Sequence, residues 1–143
     1  MNDKVNNICK LEYTRVHEVT SFSYVPGELI FIDAPWTVLD IVANAELGIA
    51  RIPGKAGESF ESEFSCGLRS KFLKTGLFIF RLTFSDGQDP MIIGSPDLPV
   101  RLAEDHSLRS KSLNFSHLSW HYPYRVPVGY GLGSGSGSAG GGV

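Results

Sequence analysis

His117 and His121 stand four residues apart, a spacing that on a helix would bring both imidazoles to one face, within reach of a shared metal ion. The stretch that carries them, Ser116-His117-Leu118-Ser119-Trp120-His121-Tyr122-Pro123, reads as a strand instead. At ~3.3 Å per residue, positions four apart on a strand lie roughly 13 Å apart, too far to share one ion. Alternation sets both rings on a polar face with Ser119, so exposed polar histidines are expected and a metal site is not. Cys9 and Cys66 are distant from each other and neither belongs to a CxxC pair, which argues against a zinc site and against a disulfide framework. Cys66 continues the apolar face of Phe60 and Phe64 and should be a small buried hydrophobe.

Carboxylates come in two pairs that could share acid–base work: Glu61 with Glu63 on one strand face, and Asp86 with Asp89 in a turn. Such chemistry needs surroundings that push the two pKa values apart, usually in a cleft. These four sit among serines or turn residues that water reaches. The segment from Gly48 to Ala56 imitates a phosphate-binding loop through Gly54-Lys55, yet five residues intervene between the glycines and alanine follows the lysine, so both requirements of that loop fail. Gly129-Tyr130-Gly131-Leu132-Gly133 lacks the strand and helix a dinucleotide fingerprint needs. A Gly-x-Ser-x-Gly elbow is missing too. No catalytic residue and no cofactor are expected. Aromatic side chains remain: Trp120, Tyr122 and Tyr124, with Arg125 or His121 as polar neighbours and Trp36 in addition, could stack on a sugar or contact a partner. The plainer reading of those rings is a sandwich core or its closing edge.

These residues are held by a chain of 143, enough for one domain with a core of its own. Thirteen basic residues against fifteen acidic ones leave a formal charge of −2, and the densest positive cluster is Arg69, Lys71 and Lys74. Nothing resembles the basic stripe that phosphate neutralisation requires, so nucleic acid is not an expected partner. The first residues, Met1 to Asn7, contain no apolar run that would serve as a signal peptide, and the apolar cluster Leu29 to Ile32 is far too short to cross a bilayer. A cytoplasmic protein, not membrane-bound, is expected.

Strands dominate the pattern. In Leu77-Phe78-Ile79-Phe80-Arg81-Leu82-Thr83-Phe84, Phe78, Phe80, Leu82 and Phe84 share one face while the other turns polar at Arg81 and Thr83. Asp86-Gly87 then supplies a turn and Met91 to Ile93 a return strand. Further strands are expected over 10–16, 19–25 and 28–32, with a turn at Pro26-Gly27. Residues 1–8 read as a loose polar start. The segment 36–47 fits helix or strand and is assigned to strand by its neighbours. A loop is expected at 52–57, a strand with a polar outer face and an edge position at 58–66, a short strand at 100–103, a polar loop at 104–111 and a last strand over 112–122. An apparent switch of face between Phe115 and Leu118 predicts a bulge there. Eight of the last fifteen residues are glycine, so 129–143 should form a flexible Gly/Ser tail behind a domain of residues 1–128.

Three stretches in the second half also carry a likeness: Phe80-Arg81-Leu82-Thr83-Phe84-Ser85-Asp86-Gly87, Ile92-Ile93-Gly94-Ser95-Pro96-Asp97-Leu98-Pro99-Val100-Arg101-Leu102 and Leu113-Asn114-Phe115-Ser116. Across residues 58–126 this succession resembles small β-rich proteins encoded among the tail genes of bacteriophages and prophages of gut bacteria. The resemblance implies a tail-associated assembly component without a cofactor, present in the host cytoplasm during assembly and later in the virion. Its partners would be other tail proteins or further copies of itself. The expectation is therefore an all-β fold, an antiparallel β-sandwich or partly closed barrel of about eight strands, in a non-enzymatic structural protein. Contacts are expected at residues 53–57 and along 122–130, with Trp120, Tyr122, Tyr124 and Arg125 as contact residues. The alternative is a carbohydrate- or ligand-binding β module that uses the same aromatics.

Overall fold

A computed structural model describes residues 2–25, 28–70, 72, 75–102 and 111–126. Among them run twelve strands and one short 3-10 turn, all strand pairs antiparallel and no barrel closed. The all-β expectation holds, with more and shorter strands than the eight expected. In chain order the strands are β1 (Asn2–Val5), β2 (Ile8–Arg15), β3 (Ser21–Val25), β4 (Glu28–Asp33), β5 (Thr37–Leu39), β6 (Ile41–Gly54), β7 (Gly57–Leu68), β8 (Gly76–Phe84), β9 (Met91–Ile93), β10 (Val100–Leu102), β11 (Ser112–Ser119) and β12 (Tyr124–Arg125).

Two sheets hold most of them. The first has the order β1-β6-β7-β11, and the second β12-β9-β8-β2-β5 with β10 also on β8. Both β9 and β10 lie on the same side of β8, facing Phe80 to Leu82 and Gly76 to Phe78 respectively. Gly94 follows β9 at φ +100°, where a Cβ would come within 3.2 Å of the Phe78 carbonyl oxygen. Only glycine allows so close a backbone approach without strain. The apolar faces of the two sheets meet in one core: Phe80 of β8 stacks on Phe115 of β11 at 4.5 Å, and Phe64 of β7 packs on Phe115 at 5.2 Å. Leu11, Leu47, Phe78, Phe80, Leu82 and Leu113 are wholly buried there. The alternation read from Phe78 to Phe84 is thus the inner face of a central strand.

The opposite face of that strand corrects the reading. Arg81 is buried, because the separate β3–β4 hairpin and Trp36 fold over the outside of the second sheet. A smaller core forms there from Ile32, Ile79, Ile92, Tyr124 and Val126. The molecule is therefore layered as sheet, sheet and hairpin.

Other expectations change as well. Residues 2–5, expected to be loose, pair with β6 from Asn2↔Ala50 to Val5↔Leu47. The uncertain segment is strand, as assigned: β5 ends in the second sheet, Asp40 intervenes, and β6 starts in the first. Irregular register between Ile41 and Glu46 accompanies that change of sheet, as bulges do where a strand must bend. The loop expected at 52–57 shrinks to a two-residue turn, Lys55-Ala56, closing a hairpin in which Gly54 faces Gly57. β7 lies inside its sheet, between β6 and β11, and not at an edge. No bulge interrupts β11, whose register with β7 is unbroken from Ser112↔Gly67 to Ser119↔Phe60. Leu118 points outward with Asn114 and Ser116, so the apparent switch of face was an exposed leucine taken for a buried one. Pro26-Gly27, Lys71, Lys74, residues 103–110 and the Gly/Ser tail lie outside the described residues. Among the described residues no helix is long and apolar enough to cross a membrane.

Candidate functional site

After Ser119 the chain leaves the first sheet and crosses to the second, and this fixes the fate of the aromatic candidates. Trp120, one residue beyond β11, is 72% exposed. Tyr122 is 38% exposed; its ring stands edge-on to Phe60 at 5.7 Å and its hydroxyl donates to Asp3 Oδ2 at 2.6 Å. Burial first, and then the Asp3 carboxylate, push the Tyr122 phenol up to about 12. Tyr124 is buried, opposite Ile92 in the second sheet, with its ring stacked on His121 at 4.1 Å. Arg125 donates from Nη1 to the Asp89 carbonyl at 2.6 Å and lies over the Phe84 ring. The extended run 122–126 therefore closes its own domain, with Val126 N–H donating to the Pro90 carbonyl at 2.9 Å, and Tyr124 is not an accessible contact. Tyr122 lines a small hollow with Asp3, Ile49, Arg51 and Phe60.

The two histidines serve different contacts. His117 lies on the inward side of β11 and not on a polar outer face, and its Nε2–H donates to the Leu98 carbonyl at 2.6 Å. Burial pulls its pKa below the ordinary value, against the Leu98 carbonyl, which favours the cation; nearby His121 adds to the lowering. His121 instead places Nδ1 3.0 Å from the Tyr122 carbonyl. Among the described residues no group of three or more His, Cys, Asp or Glu side chains is placed to hold a metal ion. Cys66 is buried as expected, and burial pushes its thiol up to about 11, well away from reactive thiolate.

Larger hollows lie away from Tyr122, at the junction of β2 with the start of β6 and along the outside of the first sheet. A groove of about 760 Å³ opens where β2 passes the bent start of β6, between Asn6, Cys9, Val42, Glu46 and Ser65. A second hollow of about 490 Å³ shares Glu46 and Ser65 with it and continues past Lys4, Gly48, Glu63 and Ser116. The register explains the shallow trough. Gly48 faces Glu63, which faces Ser116; Ala50 faces Glu61, which faces Leu118. Small residues on β6 and polar ones on β7 leave the sheet thinly covered. Three carboxylates (Glu46, Glu61, Glu63) occupy this face, with the Lys4 ammonium 3.6 Å from Glu46. Toward one end the cover turns apolar: Ile52 is 39% and Leu118 55% exposed, and exposed Trp120 follows directly on β11. Chemically, this is a surface that can accept hydrogen bonds and bury apolar groups. Cys9 is the one nucleophilic thiol lining it, and no histidine lines it among the described residues.

Sequence reasoning picked Trp120 and missed the trough. β7's outward Glu61 and Glu63 were legible, but the strands beside them were not, since register between β1, β6 and β11 has no local signal. No protein-family model, curated protein or solved structure matches this chain.

Proposed function

We propose that the chain is a non-enzymatic structural or assembly component, associated with the tail of a phage or prophage particle. In that role it works in the host cytoplasm during assembly and then within the virion, with other tail proteins or copies of itself as partners. What supports the reading is the location of its uncovered apolar groups. Ile52 of β6 and Leu118 of β11 are exposed on the outer face of the first sheet, with exposed Trp120 just past the end of β11, and among the described residues no group of His, Cys, Asp or Glu is placed to hold a metal ion. Exposed apolar surface of this kind, bordered by polar residues, is the usual mark of a protein contact. The β6–β7 hairpin adds to it, since residues 51–58 are all exposed and project from the sandwich.

Particles released from the host strain, purified by density gradient, should contain the chain by mass spectrometry. Deleting its gene should leave tails shortened or missing. Complete, infectious particles formed without the chain would overturn the proposal.

A further inference from the structure

Sheet edges with unpaired backbone groups invite another strand, and proteins commonly shield them with charge, proline, bulges or brevity. Most edges here are shielded in that way. β1 has four residues including Asp3 and Lys4; β5 has three and is followed by Asp40; β10 has three with exposed Arg101; β12 has two, after Pro123 and including Arg125. β11 differs on every count. It is eight residues long, it contains no Asp, Glu, Lys, Arg or Pro, its register is unbroken, and among the described residues it pairs only with β7. Alternate residues of such an edge aim both N–H and C=O away from the sheet, and over 113–119 no second strand meets them among the described residues.

We propose that β11 pairs antiparallel with β11 of a second copy, joining two four-stranded sheets into one of eight strands across a two-fold axis. Backbone groups of this kind are met by a strand, and a strand without charge meets its own copy without repulsion. A two-fold contact also needs a self-complementary patch, which antiparallel self-pairing supplies. Side chains must stay on their own faces, so the numbers of opposed residues sum to an even value. Centring the pair on Ser116 matches residues 113–119 throughout and sets exposed Leu118 over Asn114 of the second copy. The contact belongs to the assembly role proposed above, but the oligomeric state of the isolated chain tests it apart from particle incorporation.

Light scattering on the full chain should give twice its 15.6 kDa at micromolar concentration. Leu118→Lys, at a half-exposed position, should leave the melting curve of the dilute, monomeric chain in place and weaken the dimer by about tenfold or more. Asn114→Lys with Leu118→Lys should give monomer, because lysines then oppose each other across the axis. Asn114→Glu with Leu118→Lys should restore the dimer through opposed charges. Ser116→Cys in a Cys9→Ser background should cross-link on oxidation. A wild-type chain that stays monomeric would overturn the proposal, whether residues 103–110 or a foreign strand covers the edge. So would a dimer indifferent to the lysines in which Ser116→Cys does not cross-link.

Discussion

Glu12 and Arg81 face each other on β2 and β8 and join through two 2.8 Å hydrogen bonds, Arg81 Nε to Oε1 and Nη2 to Oε2. Both are nearly sealed from solvent. Removing two charges from water costs several kcal/mol per ion, which the paired geometry has to offset. The Trp36 ring contributes from 4.5 Å above the guanidinium, while Arg81 Nη1 has no acceptor among the described residues. Breaking the pair should therefore cost far more than the pair itself contributes. Arg81→Met is expected to lower the unfolding free energy by about 3 kcal/mol, the low end for a stranded buried charge, because Lys10 Nζ already lies 3.8 Å from Glu12. Glu12→Leu with Arg81→Met should recover to within about 1 kcal/mol of the natural chain, since an apolar replacement strands no charge. Urea unfolding of the three proteins checks both; a single variant as stable as the natural chain would contradict them. Arg81 also marks where the sequence misleads. Read locally it sits on the polar side of an alternating strand, and nothing near it signals that residues 21–36 return to cover that side.

One side chain of β11, His117, reaches the loop between β9 and β10. Its ring is half-buried and its Nε2–H donates to the Leu98 carbonyl, which both the neutral and the charged ring can do. Burial is the larger effect and favours the neutral form, so the folded chain binds a proton at His117 less readily than the unfolded chain. The resulting stability is fully present above the ordinary histidine pKa of 6.5 and is lost as pH falls below that toward the lower folded value. His117→Gln keeps a donor without the titration. Between neutral pH and the window just below 6.5, the natural chain should lose more stability than this variant. Matched urea midpoints at the two pH values measure it, and parallel losses would contradict it. Elements rich in alternating apolar residues, such as β7 and β8, were legible because their burial is written in their own residues. β1 was not, since three polar residues and one valine become a strand only through β6. The false bulge in β11 came from equating apolar with inward, which Leu118 breaks by facing solvent.

Both cores use the second sheet, one on each face, so the layers should not come apart independently. If the β3–β4 hairpin lifted away, Ile79 and Ile92 would meet water, and Trp36, between β4 and β5, would lose part of the small core it packs against. The hairpin's hold is centred on Ile32, which is wholly buried. Ile32→Ala deletes that contact and should cost about 2–5 kcal/mol, depending on how far the surroundings collapse into the gap. All-β character could be read from alternation, but this layering could not, because Ile32, Trp36, Ile79, Ile92 and Val126 meet only after the chain has crossed its own sheet twice. Two probes separate one cooperative unit from two. Trp36 fluorescence reports the small core, with the largely exposed Trp120 as a steady background, and far-ultraviolet circular dichroism reports the strands as a whole. In urea the two signals are expected to move together in the natural chain and, at a lower midpoint, together again in Ile32→Ala. Loss of the Trp36 signal ahead of the dichroism would mean that the small core opens on its own and that the sandwich tolerates a Glu12–Arg81 pair whose cover has been loosened, which the energetics of buried charge speak against.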